Sequence, residues 1–375
     1  MRTKFLSILL IIIFYSSCRE KSFHQLKEDN TDFIPNTVFV SAEDLSSPKF
    51  AALREKYQLD TIFHGEQDEF KRILLLRNWI RQKIMISDFE DSYPGESYAE
   101  GILDAALKGH GFHCGHYMIV QNAIMNAYGY VTRCMGAGPG VKGGPDGHHG
   151  MNEIWLNKYK KWFLSDAKYN HHFEKNGIPL SALEVRAEYL KNKAADVVLV
   201  KGPERTPITG DKVANKKGKM VEWTKERFAQ TYTWLEWESY SNRFTGWPKN
   251  SHDLSMMNMF ADGYFKDHMW IWDGKPHWAY NTEFMKLIPD RKSFEWTPNV
   301  IASTVYITGN IAAIKLKSNT PNLKTYQMKD QSDGVWKNIP DSVEIKLVKE
   351  KNEIVFRAVN LAEVSGPEHR IFISN

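Results

Sequence analysis

The chain changes its hydrophobic period after the first third of its length, and that change marks its architecture. From Glu66 to Ile84 the apolar positions Phe70, Ile73, Leu76, Ile80 and Ile84 recur at helical spacing, which predicts an amphipathic helix with Trp79 packed in the core. A second helix is expected over Tyr98–Lys108, ending at Gly109. Gly111 to Tyr128 then carries apolar residues on every side, as a central helix buried all round would, with Gly129 as its terminator. Beyond it the period falls to two. Val131–Met135 reads as a strand, and Met151–Leu156 and Trp162–Leu164 flank the polar turn Asn157–Lys161 as a β-hairpin. Between them, Gly136–Gly147 holds six Gly and two Pro and is expected to be a loop. Five short alternating runs follow near the end, at 303–307, 312–316, 343–348, 353–358 and 369–373, which is the pattern of a small β-sandwich. The fold class is therefore α+β: a Cys-bearing central helix packed on an antiparallel sheet, then an aromatic-rich stretch and a C-terminal sandwich.

Chemistry enters at the start of the central helix. Cys114 lies in the run Gly111-Phe-His-Cys114-Gly-His-Tyr, where the helix dipole and first-turn amides favour a thiolate. His149 and Asp166 follow on the two arms of the hairpin. A tight turn centred between Asn157 and Lys158 would set these two directly opposite, roughly 5 Å apart at Cβ; a turn centred on Tyr159 would set His149 against Tyr169 instead. A thiol, an imidazole and a carboxylate in this order suit a nucleophilic triad in which the acid orients the base and the base activates the sulfur. His148 competes with His149 for that place, and His149 is preferred for its spacing to Glu153.

Composition narrows the class. The chain has 375 residues, enough for two or three domains, with 42% hydrophobic and 25% charged residues. Its net charge is +4, of which Arg2 and Lys4 supply two, so no basic surface for nucleic acid is indicated. Arg2 and Lys4 precede an apolar run, Phe5–Phe14, too short to anchor a bilayer-spanning helix. Ser16, Ser17 and Cys18 follow, and the whole resembles a bacterial lipoprotein signal, with Tyr15 where an aliphatic residue is usual. That implies lipidation of Cys18 and an exported protein held at a membrane surface by its acyl chains. Two cysteines then remain, Cys114 and Cys134. A disulfide between them is the competing structural reading; Cys134 otherwise reads as a small core residue.

The stretch from about Leu76 to Tyr169 resembles the transglutaminase-like superfamily of papain-type thiol enzymes. In that family a Cys opens a helix, a strand ending in Arg follows a Gly, a His heads a strand containing Glu, and an Asp closes the next strand four residues after a Trp. The matching positions are Cys114, Gly129 with Arg133, His149 with Glu153, and Trp162 with Asp166. The chain departs from the pattern after the His, where Gly150 and Met151 replace an aromatic residue. The resemblance implies that Cys114 attacks an amide carbonyl to give a thioester, with His149 as base and then acid, Asp166 orienting it, and no cofactor. The acceptor would be water, giving a peptidase or amidase, or an amine, giving cross-links; hydrolysis is favoured. The implied partner is a protein, peptide or glycopeptide substrate.

Two rival readings stand beside this one. His110, His113, Cys114, His116, His148, His149, His171 and His172 include the residue types of a zinc site, although their spacing matches no closed four-ligand template. Seven of the twelve Trp (223, 234, 237, 247, 270, 272 and 278) fall between Glu222 and Tyr280. Exposed, such rings would stack on sugars and suggest an inactive cell-surface lipoprotein that binds glycan or glycoprotein; buried, they would be a core. The expected organisation is a signal at 1–17, a tether at 18–45, the catalytic domain at 46–200, the aromatic-rich extension at 201–290 and an accessory, Ig-like β-sandwich at 291–375.

Overall fold

The structure, a computed structural model, describes residues 22–26, 30–39, 42–87, 98–138, 149–214, 219–246, 256–259, 269–272, 285–288, 291–330 and 332–375. Four helices form one layer of the N-terminal half: α1 (Lys49–Lys56), α2 (Glu69–Lys83), α3 (Ala99–Leu107) and α4 (Cys114–Ala127). The five apolar positions that predict α2 are all buried, and Asp68 caps the helix by accepting from the Lys71 amide. Trp79 is partly buried against the same cluster. Helix α4 sits against α1, α2 and α3 on one side and against the sheet on the other, so its residues from His116 to Ala127 are buried apart from Ile119. It starts at Cys114, three residues later than its hydrophobic run suggests, because Gly111–Phe112 is extended and pairs in parallel with Met85–Ile86.

The sheet is mainly local in its centre and long-range at its flank. Strands β1 (Thr132–Gly138), β2 (His149–Leu156) and β3 (Lys161–Ser165) are consecutive antiparallel neighbours. Strand β4 (Trp234–Glu238) pairs with the free side of β1, and β5 (Met256–Met259), β6 (Met269–Trp272) and β7 (Met285–Ile288) extend it to seven strands. The aromatic-rich stretch thus continues the sheet that carries His149. Trp234 and Trp237 are buried in it, and Trp223 is partly buried; Trp247 and Trp278 lie outside the described residues. Ile154, Leu156 and Phe163 join the core beneath the helices. Met151, Trp155, Trp162 and Leu164 join a second core on the opposite face, so both faces are covered.

Arg133 and Glu153 are direct cross-strand partners on β1 and β2 and are fully buried. Arg133 Nε and Nη2 donate to Glu153 Oε2 at 2.9 and 2.6 Å, and Nη1 donates to the Phe294 carbonyl. Trp237 Nε1 and the Ala182 amide donate to the same carboxylate, each at 2.8 Å, while the guanidinium lies 4.1 Å from the centre of the Trp162 ring. A buried charge deprived of its partner is costly, so Glu153→Gln is expected to destabilise the fold by about 3–5 kcal/mol. Urea unfolding of the two proteins measures this; an unchanged midpoint would mean that the pair is not holding the sheet.

The C-terminal strands form two sheets around their own core. One contains 301–308, 311–318 and 342–346; the other contains 323–329, 336–339, 351–360 and 369–374, with His24–Gln25 added at its edge. Ala312, Ile314 and Leu316 alternate inward against Ile354, Phe356, Ile371 and Ile373. This unit touches the helical layer at Gly129. There φ is +75°, the carbonyl accepts from Asn360 Nδ2 at 2.8 Å, and a Cβ would stand 2.6 Å from that of Ala362. Gly129 is therefore required both for the turn and for the close approach.

The stretch expected to be a tether is built into the fold wherever it is described. Beyond the His24–Gln25 strand, Asn30 exchanges hydrogen bonds with the Arg370 backbone. Glu43, 1% exposed, accepts from Asn122 of α4 and from the Phe244 and Thr245 amides. The signal segment and Cys18 lie outside the described residues. Among the described residues, no helix is long and apolar enough to cross a membrane.

Candidate active site

Three elements converge at one end of β2. Cys114 is the first residue of α4, His149 the first of β2, and Asp166 follows the last residue of β3. The hairpin pairs Leu156 with Lys161 and Asn152 with Ser165, so its turn is centred between Lys158 and Tyr159. That is neither register considered from the sequence. It displaces Asp166 by two residues from the position facing His149, and a two-residue displacement keeps the same face of the strand. The side chains meet diagonally, with His149 Nε2 2.7 Å from Asp166 Oδ2.

The third member reaches the ring across the strand end. Gly150 makes this possible. A Cβ there would lie 3.3 Å from Gly115 Cα and 3.6 Å from the Cys114 carbonyl carbon, so the helix start rests directly on strand backbone. The Cys114 thiol makes hydrogen-bond contact with the His149 ring. With Nε2 engaged by Asp166, Nδ1 is the nitrogen left for sulfur.

Electrostatics follow from this arrangement. Burial alone would push the Cys114 thiol up; hydrogen bonds with His113 and His149 and the positive charges of His149 and Lys168 outweigh it and hold the thiol well below its ordinary value. Burial likewise opposes charge on His149, yet the Asp166 carboxylate and the Cys114 thiolate raise the ring to about 9. Asp166, disfavoured as an anion by burial, is held well below the usual carboxylate range by His149 and His171. The set is a thiolate–imidazolium–carboxylate chain that runs from the half-buried Cys114 through His149, whose side chain is 14% exposed, to the buried Asp166.

A further shell of residues fixes the acid, and the sequence reading did not single these residues out for that task. The Asp166 loop turns through Asn170, at φ 55°, and closes by paired backbone hydrogen bonds between Asp166 and His171. Asp166 Oδ1 accepts the Tyr169 amide at 3.1 Å, and Oδ2 lies 3.3 Å from His171 Nε2. Arg77, wholly buried, holds this loop from α2 by donating to Asn170 Oδ1 and to the His171 carbonyl, at 3.1 and 3.0 Å. It also donates to His172 Nδ1 at 3.2 Å. His172 in turn pairs with Glu174 through Nε2 at 2.7 Å. Burial, with Arg77 and Arg205 nearby, drives His172 down to about 3 against the pull of Glu174, so it is a neutral ring that accepts from Arg77 and donates to Glu174. The sequence did hold a signal for Arg77: an arginine on the buried stripe of α2, four residues after Ile73 and three before Ile80.

Cys114 and Cys134 are not disulfide-bonded. Cys134 is fully buried on β1, where burial raises its thiol well above the ordinary value, and Asn152 Nδ2 lies 3.6 Å from its sulfur. Among the described residues, no three His, Cys, Asp or Glu side chains are grouped to hold a metal ion. His148 lies outside the described residues.

One family comparison covers the segment that carries this geometry. The family model of the transglutaminase-like superfamily core matches residues 57–167. This segment matches a transglutaminase-like core. It runs from the end of α1 to just past Asp166 and so contains all three convergent residues. Arg133, Glu153 and Trp162, three further motif positions of the transglutaminase-like pattern, are buried on adjacent strands of the sheet. No curated protein matches the chain. A crystal structure of red sea bream transglutaminase aligns at 10% identity over 86% of this chain and 71% of that one, with a TM-score of 0.26. A likeness that loose carries no argument about how the two molecules correspond.

Proposed function

We propose that this protein is a thiol enzyme that acts on amide bonds through Cys114, His149 and Asp166. The Cys114 thiolate adds to the carbonyl carbon, and the C–O π electrons move to oxygen as a tetrahedral oxyanion. As this collapses, the C–N bond breaks and the His149 imidazolium gives its proton to the leaving amine, leaving a Cys114 thioester and a neutral ring. Water then loses a proton to His149 and attacks the thioester. Collapse of that second adduct frees the carboxylic acid and restores the thiolate–imidazolium pair. Asp166 keeps the ring oriented throughout and stabilises its charge.

The observation that supports this reading is the unbroken contact chain from sulfur through the imidazole to a carboxylate 2.7 Å beyond it. Hydrolysis is the proposed outcome, with a peptide, protein or glycopeptide as substrate. An exported location, anchored through a lipid on Cys18 at a bacterial membrane, belongs to the same proposal and rests on the N-terminal sequence. The test is to incubate the protein with a peptide mixture, quench in acid and analyse both by mass spectrometry. The reading expects an acyl group on Cys114 and new peptide carboxyl termini. Peptides joined to an added primary amine, without new carboxyl termini, would instead establish transfer. No acyl adduct on Cys114 with any peptide would contradict the thioester route.

A further inference from the structure

We propose that His113 supplies a hydrogen-bond donor to the oxyanion formed on Cys114, beside the backbone amide of Cys114 itself. This builds on Cys114 acting as nucleophile. His113 is the N-cap of α4, with an extended backbone (φ −87°, ψ 179°), and its side chain folds back so that Nδ1 accepts the Gly115 amide at 3.2 Å. A ring nitrogen that accepts an amide proton carries none of its own, so the proton of the neutral ring is on Nε2. One first-turn donor of the helix is thereby engaged, and the imidazole presents an N–H of its own in its place.

The placement is fixed from both sides. A Cβ on Gly115 would lie 3.2 Å from His113 Cε1, while Gly150 of the strand presses on the same glycine, 3.3 Å from Gly115 Cα to where its own Cβ would be. The thiol is thus flanked by His149 on the strand side and by His113, an exposed residue, on the other. Beneath His113 lies the buried His116 ring, with centroids 4.1 Å apart. Burial lowers His116 to about 4, so this support is uncharged at neutral pH. The His113 ring is in hydrogen-bond contact with the sulfur to which the acyl carbon bonds, and the new O⁻ is one atom further on. Donors fixed at a helix N-terminus are suited to that charge.

The test uses two reactions of the same sulfur. Acylation by p-nitrophenyl acetate passes through an oxyanion; alkylation by iodoacetamide, a direct displacement, does not. In the full chain, His113→Ala is expected to slow nitrophenol release about 100-fold. The alkylation rate, measured on its high-pH plateau, should stay within about threefold. His113→Ser, which keeps a helix cap, should behave like His113→Ala, and His113→Gln, which restores an N–H donor, should recover most of the acylation. Equal losses in both reactions, or none in either, would overturn the inference. Nitrophenol release that does not depend on Cys114 would instead sink the thiol mechanism itself, a result read from Cys114→Ala alone.

Discussion

Cys114→Ala is expected to lower amide turnover by about 10⁴-fold or more, since a member of a catalytic unit cannot be removed piecemeal. Cys114→Ser should do the same, because a hydroxyl in this place would not be ionised by the imidazole. Folding should be preserved. The residue is the first of α4 and only half-buried, and alanine favours a helix. Circular dichroism and urea midpoints of wild type and variant check that part, and peptide cleavage checks the rest. Wild-type turnover by the alanine protein would remove Cys114 from the mechanism. His149→Ala should match the loss, because the thiol then keeps its proton at neutral pH.

Asp166→Asn is expected to lower turnover by about 10³-fold, with a change in pH dependence as its signature. In the wild type the active form is thiolate with imidazolium. On the alkaline side its population falls as His149 loses its proton near 9. That value is reached against burial, through the charge and hydrogen bond of Asp166 and through Cys114. Removing the carboxylate charge leaves the burial in place, so the imidazole loses its proton at lower pH. The alkaline limb of the pH–rate profile should move to lower pH by one unit or more, while the acid limb, set by thiol ionisation, moves up. The working range narrows from both sides. A variant with reduced rate but an unshifted profile would mean that Asp166 acts on the loop and not on the charge of His149.

Much of this site was legible before any coordinates. Every position named on the helical stripe of α2 is buried, although Leu74 and Arg77 share that burial unannounced. His149 and Asp166 could be placed together from strand period, whereas the approach of Cys114 depends on the tertiary fold. The hairpin register was misjudged because its four-residue connection places Lys160 at φ 55°. A lysine does not advertise a left-handed conformation as glycine does. For the register that set His149 against Asp166 the consequence survived, since that register is off by an even number of residues. The described residues before 46 could not be read as structure: their placement comes from partners hundreds of residues away, such as Arg370 for Asn30 and Phe244 for Glu43. The same holds for the attachment of β4 to β1. Arg77 was visible as an oddity on an apolar stripe, but its task depended on a loop that only the tertiary fold brings to it.

The most direct measurement of the whole account is the ionisation of the Cys114 thiol, followed by its iodoacetamide alkylation rate from pH 4 to 10, with the modified residue identified by mass spectrometry. The sulfur is expected to be already reactive at pH 6 in the wild type, and to return toward the ordinary thiol value of about 8.5 in His149→Ala. A Cys114 that titrates near 8.5 in both proteins would contradict it.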